Sequence, residues 1–122
     1  MSTILVADDS PLIRQVLRAQ LESLSTDILE AADGQAALAL ARATHPRVAV
    51  LDFEMPKLNG VEVCAQLKAD PATADIRVAI LTASLDDDVQ GYAFAAGAEC
   101  FLLKPCPLKD LHEQITALLA VS

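Results

Sequence analysis

The sequence contains no tryptophan, one tyrosine and three phenylalanines among 122 residues, so its core must be packed from Val, Leu, Ile and Ala. Positive charge is also scarce. Nine Lys and Arg stand against 17 Asp and Glu, a net charge of −8, which opposes direct binding to nucleic acid or to an anionic membrane surface. The three cysteines, Cys64, Cys100 and Cys106, form no CxxC pair. Neither a disulfide framework nor a zinc site is indicated, and they read as small, reduced core residues. No apolar run approaches the roughly 18 residues of a membrane span and no signal peptide precedes Thr3, which predicts a soluble cytoplasmic protein. Repeats, linkers and low-complexity tracts are missing as well. The length suits one domain, residues 1–122, and leaves no room for a second, substrate-binding one.

What is present is an alternation of short β-branched runs with longer helical ones, the signature of βα units around a parallel sheet. Strands are expected at Thr3–Ala7, Asp27–Ala31, Arg47–Leu51, Arg77–Leu81 and Cys100–Leu103. The first, third and fourth are nearly continuous apolar runs, as strands buried on both faces require. The first helix opens with Ser10 as N-cap and Pro11 at the first helical position. Its Leu12, Ile13, Val16, Leu17, Leu21 and Leu24 share an apolar face. An Ala-rich helix follows Asp33, and a third, from about Gly60 to Ala69, carries Val61, Cys64 and Leu67 as its stripe. A fourth starts near the acidic residues Asp86–Asp88 and is ended by Gly97. The fifth, from about Leu108 to Ala120, buries Leu111, Ile115, Leu118 and Leu119. Right-handed crossovers then give a doubly wound α/β sheet, whose ligands sit beyond the carboxyl ends of the strands.

Those ends are chemically marked. Strand one runs into Asp8–Asp9, strand three into Asp52, strand four into Thr82 and strand five into Lys104. Singly, each reads as a cap, a turn residue or solvated surface; together they line one rim. Two unit charges about 4 Å apart repel by roughly 4 kcal/mol at an effective dielectric near 20, so three gathered carboxylates call for cations. Lys104 supplies one charge, and a hard divalent ion such as Mg²⁺, bound by one or two carboxylates, waters and a phosphate oxygen, supplies the rest. Asp52, alone on the central strand, is the natural nucleophile for an aspartyl-phosphate. Lys104 and the Thr82 hydroxyl suit the transferring oxygens. His45 and His112 fall away from this rim and read as surface residues.

The acidic pair Asp8–Asp9, "DFEMPKLNG" from Asp52 to Gly60, "LTA" from Leu81 to Ala83 and "FLLKP" from Phe101 to Pro105 occur in order and at matching separations. On these motifs the chain resembles, end to end, the receiver domain of bacterial two-component response regulators. The resemblance implies a flavodoxin-like (βα)5 sheet in strand order 2-1-3-4-5. It implies Asp52 as phosphoacceptor from a phosphohistidine on a sensor histidine kinase or histidine phosphotransfer protein. Mg²⁺ would be bound by Asp9, Asp52 and the backbone carbonyl of Glu54, with Asp8 helping through water. Thr82 and the Ala83 amide would meet the phosphoryl oxygens, Lys104 would pair with it, and the Lys104–Pro105 bond would be cis. On phosphorylation Thr82 would move toward Asp52 and Phe101 would rotate inward, switching the helix 4, strand 5 and helix 5 surface toward a downstream protein, an output domain or a second copy. Such a protein modifies itself and is not a turnover enzyme on a separate substrate.

Glu54 departs from the family's usual polar or basic residue two places after the phosphoacceptor. Its carboxylate is read as tuning phosphoryl lifetime, or as simply facing solvent. Two other functions share these residues. A haloacid-dehalogenase-type phosphatase also pairs an aspartyl nucleophile with an acid two residues on, although it expects Asp there and leaves Asp8–Asp9 unexplained. An interaction module would carry the rim without being phosphorylated.

Overall fold

The computed structural model describes residues 3–24, 27–84, 86–104 and 106–120. The runs that read as continuously apolar lie in the middle of the sheet. Five parallel strands, β1 (Thr3–Ala7), β2 (Asp27–Ala31), β3 (Val48–Asp52), β4 (Arg77–Thr82) and β5 (Cys100–Leu103), are ordered β2-β1-β3-β4-β5. Between and after them run α1 (Pro11–Leu21), α2 (Gly34–Thr44), α3 (Gly60–Ala69), α4 (Asp87–Ala95) and α5 (Leu108–Ala120).

Alternation along the central strands divides the core in two, because successive side chains point to opposite faces. Leu5, Ala7, Ala49, Leu51, Val78 and Ile80 pack with buried residues of α2, α3 and α4. Ile4, Val6, Val48, Val50, Ala79 and Leu81 pack with Leu17 and Leu21 of α1 and with Leu111, Ile115 and Leu118 of α5. The sheet is thus covered on both faces, as the apolar runs require.

The helices begin where side chains satisfy their first free N–H groups. Ser10 accepts from the amide of Ile13, and Asp33 from that of Ala36 at 2.8 Å. Asn59 and Glu62 form a reciprocal capping box at α3. Asp86 caps α4 through the amide of Asp88. Among the described residues, no helix is long and apolar enough to cross a membrane.

The packing corrects the expected apolar face of α1. Leu12 and Val16 are 67% and 43% exposed, while Leu17 and Leu21 are buried and Ile13 is half-buried. Leu24 lies past the end of the helix, in the turn after it. The sheet covers only the stripe through positions 13, 17 and 21, and an apolar residue one place earlier is rotated about 100° away from it. On α3, Val63 takes the fully buried place expected of Val61, which is half-buried. Cys64 and Cys100 are buried as expected of core thiols, whereas Cys106 is half-buried ahead of α5. Burial pushes the Cys64 thiol up to about 11, so it is an inert packing group.

Candidate functional site

β1 and β3 are neighbours whose helices leave toward opposite faces, so the crevice beyond their carboxyl ends is the switch point of the sheet. Asp8 follows β1 directly, and its amide donates to Ala31 O of the neighbouring β2. Asp8 is buried. One of its carboxylate oxygens accepts from the amide of Ser10 at 2.9 Å and the other from Lys104 Nζ at 2.8 Å. Arg14, on α1, donates to the backbone carbonyl of Asp8 at 2.7 Å and pairs with Glu30, which also holds Arg18. The end of β1 is therefore fixed from the α1 side, a role of Arg14 that the sequence reading missed.

Asp52 belongs to β3 itself and does not merely follow it. It pairs in register with Leu81, and the next amide, of Phe53, donates to Leu81 O at 2.7 Å. Extending the ladder by this residue carries the side chain into the protein, where it is 2% exposed. After Asp52 the chain closes on itself. Phe53 O accepts from the amides of Met55 and Gly60, Pro56 O from those of Leu58 and Gly34. A Cβ on Gly60 would stand 2.6 Å from Asp52 O, so only glycine allows α3 to start this close to the strand end.

Carboxylate oxygens of Asp8, Asp9 and Asp52 come within 4.8 Å of one another. Asp8 and Asp52 are buried, and Asp9 is exposed at the mouth. Lys104 is brought in by the hydrogen bond that its backbone N–H donates to Thr82 O, between the ends of β4 and β5. Its Nζ lies 2.8 Å from Asp52 Oδ1. The two form a close charge pair. A deeply set carboxylate beside two further carboxylates, with one lysine among three acids, fits a hard divalent cation with oxygen ligands.

Burial raises the Asp52 carboxyl to about 6 from the ordinary 3.8; Lys104 opposes the shift, and the charges of Asp8 and Glu54 add to it. Burial also opposes the charge on Lys104, but its contacts with Asp52 and Asp8 outweigh burial and hold its pKa above the usual lysine value. A carboxyl whose pKa is raised in the folded state binds its proton more tightly there than in the unfolded chain. Stability therefore falls as pH rises from about 4 to about 6, and above that the whole penalty, about 2–3 kcal/mol, is present. Asp52→Asn is accordingly expected to raise the melting temperature by about 5–10 °C at pH 7.5 in chelator, and to lose that advantage near pH 4. Thermal unfolding of both proteins at the two pH values checks this; a variant less stable than wild type at pH 7.5 contradicts it.

Thr82 ends β4 with no exposed surface, and Ala83 follows it at the mouth. The Thr82 hydroxyl donates to Glu54 Oε2 at 2.6 Å, and the Ala83 amide reaches Glu54 Oε1 at 3.4 Å. The carboxylate of Glu54 is thus bound and not merely solvent-facing. Phe101, on β5, is half-buried against the α2–α3–α4 core, its ring tilted 50° to that of Phe94 at 6.4 Å. Phe94 had no mark in the sequence beyond its place on α4. The expected cis bond at Lys104–Pro105 lies outside the described residues, since Pro105 is not among them. His45 is remote from the rim, capping α2 in a left-handed conformation and pairing with Asp75. His112, expected on the surface, is half-buried and joins Gln20 O.

A five-stranded doubly wound sheet that gathers three aspartates, a lysine and a threonine at its switch point defines a single-domain α/β acidic-pocket architecture. The chain belongs to the response regulator receiver domain family, which it matches over residues 4–116, and so to two-component signalling. It is 38% identical over 98% of its length to the DNA-binding dual master transcriptional regulator RpaA of Synechocystis sp., of which it spans 49%. It is 37% identical over 98% of its length to protein PilH of Pseudomonas aeruginosa, of which it spans 99%. The chain therefore spans about half the length of RpaA and of the probable transcriptional regulator ycf27 of Porphyridium aerugineum and Cyanophora paradoxa, which it also matches. Among solved structures, a signal receiver domain of a DNA-binding response regulator from Colwellia psychrerythraea aligns with TM-score 0.91 at 31% identity, covering 99% of this chain and 100% of that one. The chemotaxis protein CheY4 of Vibrio cholerae aligns with TM-score 0.89 at 28% identity, over 98% and 99%.

Proposed function

We propose that this chain is a phosphoacceptor switch in which Asp52 receives a phosphoryl group from a phosphohistidine. The observation that carries the reading is the buried Asp52 carboxylate, 2.8 Å from Lys104 Nζ and with ligand oxygens of Asp8 and Asp9 within 4.8 Å. An Asp52 oxygen forms the new bond to phosphorus while the bond to the donor imidazole nitrogen breaks, and the imidazole leaves neutral after taking up a proton. Lys104 neutralises charge on the transferring oxygens. Thr82 and the Ala83 amide can donate to them. Mg²⁺, held by the carboxylates of Asp9 and Asp52 and the carbonyl of Glu54, with Asp8 assisting through water, would supply further positive charge. Asp8 suits an indirect role because both its oxygens already accept hydrogen bonds.

The donor is a sensor histidine kinase or a histidine phosphotransfer protein. Exposed Leu12 and Val16 on α1 give it an apolar contact beside the site. The response passes through α4, β5 and α5, where Tyr92, Phe94, Leu103 and Leu108 are exposed and apolar, to a downstream protein, an output domain or a phosphorylation-dependent homodimer. The net charge of −8 supports no direct contact of this segment with nucleic acid. The reading carries with it a cytoplasmic location and no turnover of a separate substrate.

Incubation with acetyl phosphate and Mg²⁺ followed by intact-mass analysis tests it. One phosphoryl group is expected on the wild type and none on Asp52→Asn or in the presence of chelator. A mass gain that survives Asp52→Asn, or no gain at all, rejects the reading.

A further inference from the structure

We propose that Glu54 is an internal competitor of the phosphoryl group: its carboxylate holds the Thr82 and Ala83 donors in the unphosphorylated protein, so phosphorylation exchanges one anion for another. The inference rests on the phosphoacceptor reading above and adds what regulates that site. Its basis is the register of β3 on β4. Because Asp52 pairs with Leu81 and the Phe53 amide bonds Leu81 O, the residue two places after Asp52 is carried alongside Thr82 and Ala83. There Glu54 Oε2 accepts from the Thr82 hydroxyl at 2.6 Å, within the short range typical of a hydroxyl donating to an anion.

Proton count makes the two anions mutually exclusive. A threonine hydroxyl has one proton to give. The Ser84 amide donates to Thr82 Oγ1 at 3.0 Å, which occupies the oxygen as acceptor and leaves its proton for Glu54. Thr82 has no exposed surface, so water is no alternative partner. The Ala83 amide likewise has one proton, and it points at Glu54 Oε1. A phosphoryl group on Asp52 that takes these donors must displace the carboxylate. Charge acts in the same direction, since Glu54 and a phosphoryl group are both anionic. Glu54 is itself an exposed residue, so its side chain can swing into water without uncovering any core.

The consequence is a site whose oxyanion donors are occupied and held in place before any phosphoryl group arrives. Removing the carboxylate should favour the phosphoryl state. Glu54→Ala is expected to bind beryllium fluoride, a stable phosphoryl analogue, about 3–10-fold more tightly than wild type in Mg²⁺, the net worth of one ordinary hydrogen bond, since the new anion regains most of what the carboxylate gave up. Glu54→Gln, which keeps an acceptor oxygen without the charge, should fall between them. Binding is read by titration of the amide spectrum. A second readout needs no ligand: in the unliganded protein, Glu54→Ala should move the Ala83 and Ser84 amide resonances and leave those of the α3 cap, Asn59 and Glu62, in place. If wild type binds the analogue through Asp52 but Glu54→Ala binds no tighter, or if the Ala83 and Ser84 resonances do not move, the competition is rejected while the phosphoacceptor reading stands. Failure of both proteins to bind overturns both.

Discussion

Lys68→Met is expected to lower the unfolding free energy by about 3–5 kcal/mol, a large share of the 5–15 kcal/mol typical of a domain. Lys68 Nζ donates to the carbonyls of Ala74 at 3.2 Å and Ile76 at 2.6 Å and also joins Glu99 Oε1. The other oxygen of Glu99 accepts from the amide of Val78 at 2.8 Å. The side chains of Lys68 and Glu99 are only 17% and 22% exposed. Methionine keeps most of the aliphatic stem that covers Gly97 but removes the ammonium. It leaves a mostly buried carboxylate and two carbonyls short of a donor, and the residual charge is what makes the loss costly. Urea titration should give a lower midpoint at unchanged slope. Adding Glu99→Gln to the same chain should recover part of the loss, because it takes away the unpaired charge. A single substitution costing less than about 1 kcal/mol would mean that the pair behaves as an exposed surface bridge.

Gly34→Ala is the second large effect, and here helix propensity and packing disagree in sign. At the first position of α2, alanine is favoured over glycine by up to about 1 kcal/mol on propensity alone. A Cβ on Gly34, however, would stand 2.0 Å from Leu58 O and 2.5 Å from Leu58 Cβ. Those atoms belong to the β3–α3 loop, so either the loop or the helix start must move. The bond from the Gly34 amide to Pro56 O, 3.3 Å long, goes with it, and the ion pair of Lys57 with Asp33 at 3.6 Å is disturbed. Overpacking and the lost hydrogen bond together amount to about 2–4 kcal/mol. Equal or higher stability of Gly34→Ala in thermal unfolding would show that propensity wins.

The two substitutions mark the boundary of what the sequence makes legible. Strand identity follows from β-branched runs, and the central position of β1, β3 and β4 from their continuous apolarity. The end of β3 does not follow, because an aspartate reads as a stop until the ladder with Leu81 is seen. The rim residues are legible as single side chains at strand ends. How Asp52 becomes buried, and what Lys104 does for it, depends on strands brought together from 52 residues apart. The Lys68–Glu99 pair joins α3 to the start of β5 and has no local pattern. The contact of Glu54 with Thr82 lies between these extremes. Strand order 2-1-3-4-5 makes β3 and β4 neighbours, so the residues just past their ends could have been paired on paper once that order was assumed. The apolar face of α1 was overdrawn for a simpler reason, since hydrophobicity marks what can be buried and not what a neighbouring sheet is wide enough to cover.

The two loops that flank Asp52 are built unlike each other. The β3–α3 loop is closed by backbone bonds onto Phe53, tied to α2 through Pro56 and clamped at its far end by the reciprocal Asn59–Glu62 cap. The stretch from Thr82 into α4 is held, among the described residues, by the Lys104 amide on Thr82 O, by side-chain bonds from Thr82, Ser84 and Asp86 reaching two residues along the chain, and by the two contacts that Glu54 supplies. A group bound at Asp52 would therefore meet chain closed by its own backbone on the α3 side and, on the α4 side, chain steadied largely by the side chains of Glu54, Thr82, Ser84 and Asp86.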